Sequence, residues 1–339
     1  MPSTIRSFAK INLGLHIRGL RADGFHELRT VYQTIALHDV VRVQVSRGSG
    51  IGIICADPRV PTDSTNTCFR IVERAMAVLG VSGRVCIEIE KKLPVQGGLG
   101  GASANAVATL LAFERALKKQ LPGSEKLYIA AEVGSDLPLF LVGGTILGIG
   151  RGEDVYPLAD LPATACVVAM PEIAVSTPKA FADWDLQSSA SVPPTRTGGD
   201  ARSSLVAGAK LTVSSPSDRM NEFSRRVSAW LSGASGVPGS QRRGRAETPL
   251  LDLVRTGIEN DFERVVFPQH PELREVKRVL EREGAFYASL SGSGSAVYGL
   301  FRARVTASKA AVRLQAGGTP AVATATLTRR QYWQRIFDC

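Results

Sequence analysis

The 339-residue chain has five cysteines, Cys55, Cys68, Cys86, Cys166 and Cys339, an odd number with no CxxC pair. This argues against a disulfide framework and fits free thiols in a reducing compartment. Its four histidines, His16, His26, His38 and His270, form no HExxH motif and no Cys/His cluster. No protein-caged transition metal is expected from them. No stretch approaches the roughly 18 consecutive apolar residues of a membrane span. The opening MPSTIRSFAKINLGL also lacks the uninterrupted apolar segment and small-residue cleavage site of an export signal. The expectation is a soluble, unexported protein.

Acidic residues are outnumbered, leaving a net charge of +10. The surplus is uneven: +2 over residues 1–184, +4 over 185–247, −2 over 248–301 and +6 over 302–339. Neither basic stretch interleaves dense Lys/Arg with aromatics, and aromatics make up only 6% of the chain. A solvated surface is the simpler reading, and no nucleic-acid partner is expected.

The length and a 44% hydrophobic content suit two domains of ordinary size. From Ser7 to Arg18, Ile11, Leu13, Leu15 and Ile17 alternate with Lys10, Asn12, Gly14 and His16, which predicts a strand with Lys10 and Asn12 on one face. Arg21-Ala-Asp-Gly24 signals a turn, and Val31 to Val45 reads as further strand. Residues 84–90 alternate again and run into a glycine loop, after which Ala106, Leu110, Leu111, Phe113 and Leu117 mark a helix. A helix is expected over 124–133, with Ser124 as N-cap and Gly134 as its stop, and another opens at Asp136 and Pro138. Thr164 to Met170 reads as the first strand of a second domain, with the boundary near residue 158.

Residues 185–247 differ in kind, since 24 of these 63 are Gly, Ser or Pro. Within them, Phe223, Val227, Trp230 and Leu231 follow Ser217 and Asp218 at the spacing of a short amphipathic helix. Ordinary globular sequence resumes at Leu250, through a helix, to strands over 285–290 and 296–301 joined by Ser291-Gly-Ser-Gly-Ser295.

The strongest chemical signal is Pro94-Val-Gln-Gly-Gly-Leu-Gly-Gly-Ala-Ser-Ala-Asn-Ala106. A strand feeding glycines that open a helix presents bare N–H groups and the positive end of a helix dipole, an anion cradle suited to polyphosphate. The Lys-Ser/Thr of a Walker A loop is absent, and Ser103 breaks a Gly-x-Gly-x-x-Gly reading. A tight turn would need only one or two glycines, whereas four lie within five positions. Other residues are ambiguous locally. Asp136 could be a helix N-cap or a catalytic carboxylate, and Lys10 with Asn12 could be the wet face of an edge strand. The Ser291–Ser295 loop could be a flexible hairpin or a second glycine loop that lets backbone approach a ligand or the first loop.

Taken together, Ala9 to Leu28, Pro94 to Ala106, Gly134-Ser-Asp-Leu-Pro138, Asn260-Asp-Phe-Glu263 and Ser289 to Ser295 resemble, in order, the motifs of the diphosphocytidyl-methylerythritol kinases. These belong to the galactokinase, homoserine kinase and mevalonate kinase superfamily. The resemblance spans most of residues 4–184 and 250–301, and its first motif is specific to these kinases rather than to the superfamily.

The resemblance implies an α+β fold with a cleft between two domains. Residues 1–158 would form a ribosomal-protein-S5-like ATP-binding domain, to which about 324–339 return. Residues 159–339 would form the substrate domain, with the insertion at about 185–247. It implies ATP-dependent phosphorylation of the 2-hydroxyl of a cytidine diphosphate methylerythritol, in the non-mevalonate route to isoprenoid precursors. Mg²⁺ would accompany ATP. Lys10 and Asp136 match the catalytic pair; Asn12, Phe25, His26, Thr177 and Phe181 match substrate-side positions, with Phe25 and Phe181 sandwiching the cytosine and His26 reading its edge. Asn66, Pro94, Gly98, Gly100, Gly101, Ser103 and Asn105 match the ATP side, and Gly292 and Gly294 the loop that closes the site. A bacterial cytoplasmic enzyme, monomeric or weakly dimeric, is implied. Its rivals are a superfamily kinase for mevalonate, homoserine or a sugar, and a non-catalytic nucleotide- or RNA-binding protein.

The chain departs from the family pattern at Phe25, where Tyr is usual, at Gln96, where Gly is usual, at Ala104, where Ser is usual, and in the length of 185–247. Phe25 keeps the stacking face.

Overall fold

The alternation at the N-terminus produces a long strand, β1 (Ser3–Leu20), which pairs antiparallel with β2 (His26–Ser46) across the turn at residues 21–25. The pairing sets Lys10 opposite Thr34 and Asn12 opposite Tyr32, and it is irregular between Phe8 and Lys10 and between Asn12 and Gly14. Such irregularities twist a strand and re-aim its side chains. They flank both Lys10 and Asn12. This computed structural model describes residues 2–190 and 259–338.

The other edge of β2 is shared by two strands. β4 (Arg84–Glu90) pairs antiparallel with its second half and β5 (Thr145–Gly150) with its first. β3 (Gly50–Cys55) joins β4 in parallel, and β6 (Asp154–Pro157) closes the far side on β5. One face of this six-stranded sheet carries α1 (Thr67–Leu79), α2 (Gly101–Leu117), α3 (Gly123–Val133) and α4 (Leu137–Val142). Ile5, Val41, Val43, Ile87 and Ile89 pack there against Val107, Leu110 and Phe113.

A second, antiparallel sheet runs in the order β10 (Ala321–Ala325), β7 (Ala165–Ala169), β9 (Val297–Phe301), β8 (Tyr287–Leu290). With it go α5 (Thr177–Ala190), α6 (Glu263–Gln269), α7 (Pro271–Arg282) and α8 (Arg304–Ala316). The architecture is thus α+β. A third apolar cluster, with Ile11, Leu13, Val31 and Ile35 from the first sheet and Val168, Tyr298 and Leu300 from the second, fuses the two layers. The last helix, α9 (Arg329–Arg335), buries Tyr332 in the first core, where its hydroxyl donates to the Phe140 carbonyl.

Local readings differ in detail. The strand expected over 84–90 coincides with β4, whereas β1 and β2 outrun the segments read as strand because their mutual pairing continues from Ser3 opposite Val43 to Leu20 opposite His26. Ser124 is not a cap: α3 starts at Gly123, with Pro122 in the cap position and no side-chain cap bond. The stretch counted from residue 185 begins inside a helix, since α5 continues to Ala190. The short helix expected around Phe223 to Leu231 and the resumption at Leu250 lie outside the described residues.

Candidate active site

The glycine loop is pinned at its start by Asp39, a fully buried carboxylate on β2. Asp39 accepts the backbone N–H groups of Lys92 (2.6 Å) and Leu93 (2.7 Å), the Lys91 ammonium (2.7 Å) and the Asn105 amide (3.0 Å). One side chain therefore ties β2, the end of β4 and α2 together. At its far end the loop is held by the β1 edge, where Lys10 N–H donates to the Leu99 carbonyl at 3.0 Å.

Between these anchors the backbone turns through left-handed conformations at Gln96 (φ 61°), Gly98 (φ 79°) and Gly100 (φ 70°). Gly100 occupies the cap position of α2. A Cβ there would stand 3.0 Å from Lys10 Cγ and from Phe140 Cζ, so its absence gives the Lys10 side chain its passage. The α2 ladder starts with Ala104 N–H donating to the Gly100 carbonyl, which leaves the preceding N–H groups for a ligand.

The second glycine loop packs directly on the first. Ser291 Oγ donates to the Gly98 carbonyl (2.9 Å), and Ala296 N–H donates to the Gly97 carbonyl (3.0 Å). A Cβ on Gly294 would lie 2.4 Å from Gly98 N, and one on Gly98 would lie 2.1 Å from the Ser291 carbonyl oxygen. The Ser291–Ser295 segment joins β8 to β9 as a hairpin, but its serines are buried. Asn260 fixes it by donating to the carbonyls of Leu290 (2.9 Å) and Gly292 (2.8 Å).

Two clefts meet at the first loop. A cavity of about 330 Å³ is lined by Asn66, Cys68, Pro94, Gly98, Gly101, Ser103 and Asn105 among others. A second, of about 750 Å³, is lined by Lys10, Asn12, Phe25, His26, Asp136, Thr177, Phe181 and Gly292 among others. Gly98, Gly100 and Ser103 line both. Every site residue expected from the sequence except Gly294 therefore lines one cleft or the other, and Gly294 lies under the shared loop.

In the larger cleft Lys10 Nζ lies 3.5 Å from Asp136 Oδ2 and donates to Asn12 Oδ1 at 2.7 Å. Asn12 in turn donates to Thr30 Oγ1 (2.7 Å), which donates to the Gly14 carbonyl (2.8 Å). The wet-edge reading fails, because Lys10 and Asn12 are 3% and 1% exposed. The cap reading of Asp136 fails too: its carboxylate makes no cap bond to α4 and instead accepts the Tyr32 hydroxyl at 3.0 Å. Burial, then the Asp136 charge, push the Tyr32 hydroxyl well above its ordinary pKa, so Tyr32 remains a donor.

His26 is buried, with Nε2 2.7 Å from Asp185 Oδ1 and its ring stacked on Phe181 at 4.7 Å and 15°. Phe25 is half exposed, with the Arg151 guanidinium 4.9 Å over its ring. Phe25 and Phe181 thus line one cleft, while the ring facing Phe181 is that of His26. Thr177 Oγ1 is 2.7 Å from Ser293 Oγ, linking α5 to the second loop. Asn66 caps α1 by accepting Cys68 N–H (2.8 Å) and donates to the Pro61 carbonyl (2.6 Å), so both ends of its amide shape the cleft wall.

Five contributors escaped sequence reasoning: Asp39, Tyr32, Arg151, Asp185 and the role of Asn260. Asp39 had a visible signal, the single carboxylate between Ile35 and Val45 on β2. The others act through contacts distant in sequence.

Residues 66–144 match the family model described as the GHMP kinases N terminal domain, and 247–319 the GHMP kinases C terminal model. A 4-diphosphocytidyl-2-C-methyl-D-erythritol kinase of Solibacter usitatus is 36% identical over 335 residues, covering 98% of this chain and 92% of that one. The enzyme of that name from Acaryochloris marina is 34% identical, covering 92% and 91%. Among solved structures, a 4-(cytidine 5'-diphospho)-2C-methyl-D-erythritol kinase superposes with a TM-score of 0.67 at 29% identity, covering 95% of this chain and 98% of that one. A homoserine kinase from Cytophaga hutchinsonii shares the fold, with a TM-score of 0.66 at 20% identity. Identity above one third, sustained over nearly the full length of both chains, makes this protein a member of the 4-diphosphocytidyl-2-C-methyl-D-erythritol kinase family.

Proposed function

We propose that the protein transfers the γ-phosphate of ATP to the 2-hydroxyl of 4-CDP-2-C-methyl-D-erythritol, giving the 2-phosphate and ADP, in the non-mevalonate route to isoprenoid precursors. The observation that carries this reading is the meeting of two clefts at one anion cradle, with Lys10 and Asp136 beside the junction. The smaller cleft takes the nucleotide, its phosphates on the N–H groups of the loop and the α2 N-terminus. The larger takes the acceptor.

Asp136, partly open to the cleft, accepts the proton of the acceptor hydroxyl as its oxygen bonds to phosphorus. The bond from phosphorus to the bridging oxygen breaks, and ADP leaves with the electron pair. Lys10 balances the charge that develops, and Asn12 holds Lys10 in place. Transfer is direct, without a phosphoenzyme. The cytosine takes a place between Phe25 and Phe181 when the His26 ring, stacked on Phe181 in this structure, turns to the base's edge; support comes from the three side chains lining one cleft. Thr177, Gly292 and Gly294 close the site from the second sheet.

Among the described residues no three or more His, Cys, Asp or Glu gather into a metal site. The Ser103 hydroxyl lines both clefts and would be the protein oxygen nearest a Mg²⁺ carried by the triphosphate, whose charge that ion would offset. We assign residues 1–158, with about 324–339, to a nucleotide-binding domain that also carries Lys10, Asn12, Phe25, His26 and Asp136 of the acceptor cleft, and the remainder to the domain that completes that cleft. A monomer or weak dimer in the bacterial cytoplasm completes the proposal; among the described residues no helix is long and apolar enough to cross a membrane.

An ADP-release assay across the cytidine diphosphate substrate, mevalonate and homoserine tests the acceptor. Turnover of mevalonate or homoserine in place of the first would overturn the assignment. Asp136→Asn should lower kcat by roughly 10²-fold to 10⁴-fold with the fold intact, the span of a positioned acid-base group. Near-normal turnover would remove Asp136 as the base.

A further inference from the structure

Tyr32 sits in β2 opposite Asn12 of β1 and Ile146 of β5, at the centre of the first sheet. Its ring is buried beside Lys10, yet its hydroxyl reaches the cleft edge and meets Asp136. It donates to Asp136 Oδ1 at 3.0 Å, and Lys10 Nζ stands 5.5 Å from the ring centroid. The two carboxylate oxygens are thereby differentiated: Oδ1 is held by Tyr32 and Oδ2 faces Lys10 at 3.5 Å.

The surroundings leave the phenol little freedom. A Cβ on Gly152 would fall 2.4 Å from the hydroxyl, and one on Gly148 would fall 2.5 Å from ring atom Cε2. Two glycines on neighbouring β5 and the turn after it therefore clear the space the ring occupies. Nothing in the local requirements of α4 holds Asp136, which forms no cap bond. The side chain most in need of orientation is thus gripped by a rigid one on another element.

We propose that Tyr32 is a positioning residue for phosphoryl transfer. It fixes the Asp136 carboxylate so that Oδ2, rather than Oδ1, is presented to the acceptor hydroxyl. The inference rests on the reading of Asp136 as the base. Tyr32 does not itself receive a proton, and it acts on the rate only through Asp136. A hydrogen bond that orients a base is felt in kcat, because misplacement of a reacting group by a fraction of an ångström already weakens transfer.

The test is a double-mutant cycle on the full chain with Tyr32→Phe, Asp136→Asn and the double variant, each assayed for kcat and for both KM values. Tyr32→Phe keeps the buried ring and should fold. Its kcat should fall about tenfold with both KM values within about twofold of the parent. In the Asp136→Asn background the same change should alter kcat by less than about twofold, since its route to the reaction is gone. A tenfold loss that persists in that background would show that Tyr32 acts elsewhere and would overturn the proposal. Unchanged kcat in Tyr32→Phe would overturn it as well, while leaving Asp136 as the base if Asp136→Asn is impaired. Near-normal turnover in Asp136→Asn would instead refute the underlying reading.

Discussion

A methyl group added at Gly294 would lie 2.4 Å from the Gly98 nitrogen, 2.5 Å from the Gly97 carbonyl carbon and 2.7 Å from its oxygen. All three are backbone atoms, so no side chain can swing aside. Ordinary contact begins near 3.4 Å, so the two glycine loops must separate by about 1 Å. The separation would stretch the Ser291-to-Gly98 and Ala296-to-Gly97 hydrogen bonds, now 2.9 and 3.0 Å. Overpacking of this kind costs about 1–3 kcal/mol. The larger effect should be on rate, since moving a substrate-positioning element by about 1 Å can cost about 10²-fold. Gly294→Ala should therefore lower kcat/KM for ATP by about two orders of magnitude, with a melting temperature only a few degrees down. ADP release and thermal unfolding measured side by side separate the two effects. Gly123→Ala is the control, because nothing lies within 4 Å of its added Cβ. Parent-like kinetics in Gly294→Ala would refute the claim that the second loop sets the position of the first.

Gln96, exposed and at φ 61°, carries the left-handed strain that glycine avoids. Relief of about 1–2 kcal/mol, less the chain entropy glycine restores to the unfolded state, should leave Gln96→Gly more stable by about 0.5–1 kcal/mol. Urea unfolding checks this, and a loss of stability would mean that the Gln96 side chain makes a contact worth more than the strain. Asp39→Ala removes the partner of the Lys91 ammonium, itself 8% exposed in its side chain, and frees two backbone N–H groups. A loss of about 3–5 kcal/mol in chemical denaturation is expected, and a loss under 1 kcal/mol would show that the loop is anchored elsewhere. Cys68 lines the smaller cleft, but burial pushes its thiol up to about 12. At pH 8 the thiolate fraction is about one in 10⁴, so native protein should resist thiol reagents and react only when unfolded. Because the unfolded thiol ionises near 9, stability should fall as pH rises from about 9 towards 12. Rapid modification of the native protein, traced to Cys68, would contradict its burial.

The glycine loop was legible because its chemistry is local. Four glycines in five positions need a physical reason, and a strand before them with a helix after them supplies one. Strand β4 was legible for a similar cause, since its alternation is the burial pattern of a sheet with one wet face. β1 was only half legible. Its alternation predicted which face holds Lys10 and Asn12 but not that this face is sealed, because the cover comes from Tyr32, Gly100 and, more than two hundred residues away, Gly292. A lysine on a period-two strand looks the same in sequence whether it meets water or a carboxylate.

The same distinction separates Asp136 from Tyr32. Gly134-Ser-Asp-Leu-Pro138 supports a helix start on its own, and only the missing cap bond reveals that the carboxylate is engaged elsewhere. Helix α4 has six residues, too few for its own first turn to dominate how the preceding side chain points. An aspartate before so short a helix is free to answer to its surroundings, here Lys10 from β1 and Tyr32 from β2. The geometry of the Lys10–Asp136 pair is therefore a property of the β1–β2 pairing more than of the motif that carries the aspartate. It follows that changes at Gly148 or Gly152, which make room for Tyr32, should disturb the Lys10–Asp136 pair although neither residue carries a functional group.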